Sequence, residues 1–360
     1  MLNGWKIGWL IFLVALLLMS ERFKIGGEFE FDLQLLKDFE KNMSVDSPIQ
    51  FSCGRAALTA ILLDISNKVK NIIYVPYYIC FSVVDSCINS KFETRFYELD
   101  EHFQFPLDYL DKIPNNACLM IVNYFGLIDV NEIINKIKTL RNDLTIIGDY
   151  VQSYWNCHLS NADYSFTSLR KHFAVPDGAI VYKNGKVWNH KFNLTENRFY
   201  LKKLLGAILK FNKLPDDLYL KYFEEGEHDL ENENKITKAS MMSSIVYKNT
   251  DIQMIMLKRK DNYKLVNYLG LKNGFEFVFK YSEDNIPMCV PIKIKERDRV
   301  RKKLIQKKIF LPVHWPIEHY NKKSILAKEM AENVISLIID QRYSEDEIEY
   351  QVLTLKEMIS

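Results

Sequence analysis

Residues 144–153 read LTIIGDYVQS, and the reading of this stretch decides the fold. Its first four residues form an apolar, β-prone run that ends on Gly148 and Asp149, the composition of a short strand entering a turn. Working outward, residues 71–75 (NIIYV), 92–99 (FETRFYEL) and 118–123 (CLMIVN) have the same character. Between these runs, residues 56–66, 81–89 and 130–140 carry apolar side chains at helical spacing. Strands separated by helices of this length imply right-handed crossovers and a mainly parallel sheet covered on both faces, an α/β fold. Ligands of such sheets sit at the carboxyl ends of the strands. Asp149 stands at such an end, where a buried carboxylate needs a partner charge, and Gln152 follows about one helical turn later. A loop carboxylate capping the next helix would read the same way.

Two neighbouring motifs add chemistry. Ser52-Cys53-Gly54-Arg55-Ala56-Ala57-Leu58 places a glycine at the mouth of a helix. The first N–H groups there, those of Gly54, Arg55 and Ala56, have no intrahelical acceptor and suit a phosphate, although an ordinary helix start has the same sequence. Downstream, residues 168–179 read SLRKHFAVPDGA, with Lys171 flanked by Arg170 and His172, and Asp177-Gly178 forming a turn into the strand-like AIVYK. A lysine beside another cation or in a dry pocket is neutral often enough to attack a carbonyl. Most loop lysines are simply solvated. Taken together, an amine, a strand-end carboxylate and a helix N-terminus are what pyridoxal 5'-phosphate requires for its aldehyde, its ring nitrogen and its phosphate.

The order of these motifs resembles the DegT/DnrJ/EryC1/StrS family of aminotransferases. The similarity runs over nearly the whole chain from Ile25, through KIGGEFEF, FSCGRAAL, YVPYYICFSVVDSC, VNYFGLID, IIGDYVQS, SLRKHFAVPDGAIV and IFLPVHWP. It implies the type I fold of pyridoxal-phosphate transferases (aspartate-aminotransferase-like), and Lys171 holding the cofactor as a Schiff base and later moving the proton. Asp149 would pair with the ring nitrogen, Gln152 would lie near the ring, and Gly54, Arg55 and Ala56 would hold the phosphate. The resemblance also implies a homodimer, an amino donor such as glutamate, and a nucleotide-linked keto sugar as acceptor for amino-sugar or surface-polysaccharide synthesis. Departures are visible. Relatives carry a stacking aromatic where this chain has Cys80, with Tyr78 and Phe81 nearby, and a phosphate-binding serine where it has Phe166, flanked by Ser165 and Ser168. Their paired glycines are here Gly178-Ala179, and no N-x-R segment is evident. His314, in HWP, is a candidate substrate contact or part of a packed turn around Trp315. A dehydratase, in which histidine replaces the lysine, and a non-catalytic homologue are the rival readings.

The remaining sequence sets the frame. Residues 25–235 are expected to form the large domain and 236–360 a smaller α+β domain. Helices are expected over 191–213, 240–268 and 298–308 and at the C-terminus, strands at FEFVF and MCVPIKI, and an exposed acidic connector over 224–233. A formal charge of +2 gives no basic field for nucleic acid. The six cysteines lack the close pairs of a zinc site and fit reduced thiols in the cytoplasm. Residues 1–24 form a leader whose apolar stretch from Ile7 to Met19 is short for a membrane span and lacks a small-x-small cleavage site. An over-long start, a short anchor to the cytoplasmic face of a membrane and a signal peptide all remain open; membrane contact is expected only if this segment belongs to the mature chain.

Overall fold

The computed structural model describes residues 24–31, 47–233 and 235–359; the apolar leader lies outside them. In chain order the first elements are β1 (Ile25–Gly26), α1 (Gly54–Ile65), β2 (Ile72–Pro76), α2 (Phe81–Asn89), β3 (Glu93–Tyr97) and β4 (Cys118–Val122). Then come α3 (Asn131–Leu140), β5 (Thr145–Asp149), β6 (Tyr164–Ser168), β7 (Ala179–Lys183) and β8 (Lys186–Val187). Strands β2 to β8 make one seven-stranded sheet in the order β3-β2-β4-β5-β6-β7-β8. The pairs from β3 to β6 are parallel, and β7 and β8 return antiparallel. The mainly parallel sheet expected from the sequence is therefore present. Every residue of β4 and β6 is buried, the mark of strands covered on both faces. Each fully buried Ile or Leu contributes about 1.5–3 kcal/mol.

The second half begins with a two-residue pair, β9 (Thr195–Glu196) with β10 (Thr237–Lys238), that brackets a helical hairpin of α4 (Phe199–Phe211) and α5 (Asp216–Glu231). Two expectations are corrected here. Residues 191–198 are not helical, and the acidic stretch 224–233 is mostly helix rather than an exposed connector. Tyr219, Phe223, Gly226 and Leu230 recur at helical spacing on one face of α5 and are buried there, while the acidic residues occupy the other faces. Next come α6 (Met241–Asn249) and α7 (Ile252–Lys272), which are two helices and not one. Asp251 separates them and caps α7, its carboxylate accepting from Met254 N at 2.9 Å.

The chain closes with β11 (Glu276–Phe277), β12 (Cys289–Lys293), α8 (Arg297–Gln306), β13 (Ile309–Phe310), α9 (Ile325–Asn333), β14 (Val334–Ile338) and α10 (Glu345–Ile359). A three-stranded antiparallel sheet, β11-β12-β14, packs with these helices. β1 pairs with β13, which ties residues 24–31 to this C-terminal part. Among the described residues, no helix is long and apolar enough to cross a membrane.

Candidate active site

The carboxyl ends of β2, β4, β5 and β6 open onto a cavity of about 1210 Å³. The N-termini of α1 and α2 face it, and His314 and Trp315 close it from the C-terminal part. Of the residues singled out in the sequence, Gly54, Arg55, Cys80, Asp149, Gln152, Ser168, Lys171 and His314 line this one cavity. Ala56 does not: its side chain is buried, and its N–H donates to Cys53 Sγ at 3.4 Å as the cap of α1. The Gly54 and Arg55 N–H groups have no acceptor among the described residues and remain free for an anion.

Asp149 is buried at the end of β5 and has no cation beside it among the described residues. Its carboxylate accepts from Val151 N at 2.9 Å. Burial raises it to about 6, against the opposing pull of that N–H. Gln152 is held by a hydrogen bond from Phe125 N to its Oε1 at 3.0 Å.

Lys171 ends a single 3₁₀ turn, Leu169–Lys171, that follows β6 directly. Lys171 is exposed to the cavity, whose walls crowd protein around the amine. Burial pulls it below the usual lysine range, and the Arg170 charge adds to this against the weaker opposing carboxylates of Glu28 and Glu227. Arg170 is held by a fork to Glu227 of α5, at 3.0 and 3.2 Å. Glu227 also pairs with Lys203, which reaches Glu28 at 2.9 Å. The result is an alternating chain of charges that ends beside the lysine. We expect Glu227→Gln to lower the Lys171 amine further, because a nearby negative charge is lost. Following amine modification against pH would show the half-modification point moving down.

The lysine loop is anchored from behind by Asp177. Its carboxylate accepts from Ser240 N and Oγ at 2.7 Å each, from Asn197 Nδ2 at 2.7 Å, and from Ser243 Oγ. Gly178 then turns at φ +117°, where a Cβ would meet Ile49 and Leu169 at 3.2 Å. Asp177→Ala strands several buried donors. It should cost about 3 kcal/mol or more in denaturant unfolding.

The neighbouring histidine does not reach the cavity. His172 is buried against Tyr154 and Trp155, with Nε2 3.1 Å from Val151 O and Nδ1 unpartnered. Burial, then the Arg259 charge, keep it well below the usual histidine range. His314 is also neutral, pushed down to about 3 by burial and then by Lys171. Its carbonyl accepts from Tyr78 OH at 2.6 Å. Tyr78 is thus tied behind the wall, and the aromatics on the cavity are Phe81, Phe166 and Trp315.

Solved structures share this arrangement of elements. PseC of Helicobacter pylori, an aminotransferase involved in the biosynthesis of pseudoaminic acid, matches with a TM-score of 0.64 and 13% identity. The match covers 94% of this chain and 99% of that one. Spr1654 of Streptococcus pneumoniae, described as a sugar aminotransferase and solved in its PLP form, matches at 0.63 and 14% identity over 96% and 95% of the two chains. A DegT DnrJ EryC1 StrS aminotransferase from Brucella abortus matches at 0.59 and 14% identity over 100% and 98%. This chain has the type I fold of the pyridoxal-phosphate aminotransferases. No family model matches the sequence, and no curated protein matches it significantly.

Within the type I fold, Glu227 and Met288 line the cavity without having been expected from the sequence, whereas Trp315 stands in the HWP turn already set apart there. For Glu227 the apolar repeat of Tyr219, Phe223, Gly226 and Leu230 was an available signal, because it marks a helix with a fixed inner face. Met288 precedes β12 in a distant part of the chain and carried no local signal.

Proposed function

We propose that this chain is a cytoplasmic, homodimeric pyridoxal-phosphate aminotransferase that moves an amino group from an amino acid, with glutamate the favoured donor, to a nucleotide-linked keto sugar. The product would feed amino-sugar or surface-polysaccharide synthesis. One observation carries this reading. A lysine with a depressed amine and a buried carboxylate line the same cavity, beside a helix mouth, and among the described residues that carboxylate has no cation and the first N–H groups have no acceptor. An amine, a ring-nitrogen partner and a phosphate cradle are thus all present, and the residues fit the cofactor.

When bound, pyridoxal phosphate supplies an aldehyde for the amine and a ring that withdraws electrons. The protein does the rest. The Gly54 and Arg55 N–H groups and the Ser168 hydroxyl hold the phosphate oxygens at the positive end of α1. Asp149 accepts a hydrogen bond from the ring nitrogen and keeps it protonated. Gln152, Cys80 and Phe81 line the same cavity and would pack around the ring. Lys171 Nζ would hold the cofactor and would take and return the proton at the reacting carbon. Trp315 and Met288 line the cavity and would limit water there. In this reading the division into residues 25–235 and 236–360 separates the cofactor-binding part from the part that covers the substrate, except that residues 24–31 join the latter through the pairing of β1 with β13.

The dehydratase reading is not favoured, because His172 is packed away from the cavity and Lys171 faces it. Mass spectrometry of the loaded protein with glutamate and nucleotide-linked keto sugars should detect an aminated sugar and 2-oxoglutarate. A fully loaded protein that aminates none of them would sink this assignment.

A further inference from the structure

A second solvent-open chamber, of about 1110 Å³, adjoins the cofactor cavity. The two share Arg170, Lys171, Met288 and His314. The chamber is also lined by Arg259, Arg301 and Arg342, with Glu28 and Asp340 as its carboxylates. Five basic side chains face two acids, and with Arg170 matched by Glu227 and both acids already paired, Arg259 and Arg301 are left as its arginines without an ion pair among the described residues. Glu28 pairs with Lys203 at 2.9 Å and Asp340 with Arg342 at 2.8 Å.

Two of the three arginines unique to this chamber are fully engaged. Arg259 donates to Pro287 O at 3.3 Å, Met288 O at 3.2 Å, His172 O at 3.4 Å and Gln341 Oε1 at 3.0 Å. Arg342 grips Asp340 and the carbonyls of Gly27 and Glu28. Arg301 differs. Its Nε donates to Leu311 O at 3.2 Å, which orients the guanidinium, while Nη1 and Nη2 have no acceptor among the described residues. It forms no ion pair there either.

We propose that this chamber receives the anionic part of a substrate whose reacting end lies at Lys171, and that Arg301 is the residue that recognises it. The inference rests on the aminotransfer reading for the position of the reacting end. A fixed guanidinium with two free terminal nitrogens fits two oxygens of one carboxylate or phosphate. Two substrates of the proposed reaction carry such a group: a dicarboxylic amino donor, through its distal carboxylate, and a nucleotide-linked acceptor, through its diphosphate. Arg301 is then a specificity-determining residue, remote from the bonds that change.

The test is calorimetric titration of the cofactor-loaded protein with glutarate and, separately, with uridine diphosphate, for the wild type, R301Q and R301K. The wild type should bind at least one of the two. R301Q should weaken that ligand about tenfold or more, as expected for a lost charge-assisted contact. R301K should fall between, since it keeps the charge without the fork, and it decides the matter if R301Q is poorly folded. Weakened glutarate binding assigns the chamber to the donor, and weakened diphosphate binding assigns it to the acceptor. A wild type that binds neither, or variants that bind both as tightly as wild type, would overturn the proposal. The visible absorption of lysine-bound cofactor, recorded on the same samples, should be unchanged in the variants. If that absorption is absent while Arg301-dependent binding persists, aminotransfer fails and the anion chamber stands.

Discussion

Lys171→Ala should abolish covalent capture of the cofactor and lower turnover by at least about 10⁴-fold, because one amine serves both as the point of attachment and as the proton carrier. Borohydride reduction of the loaded wild type should fix the cofactor's mass on the peptide containing residues 168–179. The same treatment of Lys171→Ala should leave that peptide unlabelled. His172→Ala should keep the label, since His172 is packed behind the wall with Nε2 on Val151 O. A label that survives Lys171→Ala on the same peptide, or moves to another lysine, would show that the loop has been read in the wrong register. The depth of the amine makes the expectation strong. A solvated lysine elsewhere in the chain lacks both the burial and the Arg170 charge that keep this one reactive.

Asp149 gives the second large effect, and its sign differs between stability and activity. Its carboxyl titrates at about 6 in the fold against an ordinary 3.8, because burial without a cation disfavours the charge. The folded state therefore binds the proton more tightly than the unfolded chain. Stability falls as pH rises from about 4 to 6 and stays lower above that. Without cofactor, Asp149→Asn should be more stable than wild type above pH 6, by up to about 3 kcal/mol for roughly two pKa units. Near pH 4 the two proteins should unfold alike. With cofactor the same substitution should reduce turnover on the order of 10³-fold, because the ring nitrogen loses its charge partner. Thermal unfolding of both proteins across pH 4–8, with and without cofactor, measures the first effect and locates its cause. A substitution that destabilises the cofactor-free protein at pH 7 would mean that Asp149 is a structural carboxylate.

The parallel sheet was readable because β2, β4 and β5 are dense apolar runs bounded by Asn, Pro or Asp, with helical spacing between them. The carboxyl ends of β2 and β5 brought Cys80 and Asp149 to one place, and Lys171 joins them just after β6, so much of the site followed from topology. Three features were hidden for physical reasons. β6, with the sequence YSFTS, mixes serine and threonine into a fully buried strand whose hydroxyls find carbonyls. Ser165 donates to Cys157 O at 2.8 Å and Thr167 to Tyr150 O at 2.9 Å. β14 (Val334–Ile338) follows α9 without any glycine or proline between them, so its apolar run merges with helical sequence on either side. In α5 the density of acidic residues masked an inner apolar face, and with it Glu227, whose role depends on Arg170 at a separation of 57 residues. Ala56 marks the limit at the helix mouth. A cysteine caps α1, and that thiol takes the third N–H.

The most direct measurement is the visible absorption of the purified protein loaded with pyridoxal phosphate, before and after addition of glutamate without any acceptor. The protein should be yellow and be bleached by glutamate with stoichiometric release of 2-oxoglutarate, and an Asp149→Asn variant should take up the colour but bleach far more slowly. A protein that stays colourless with excess cofactor, or one whose colour glutamate and other amino acids leave untouched, would contradict it.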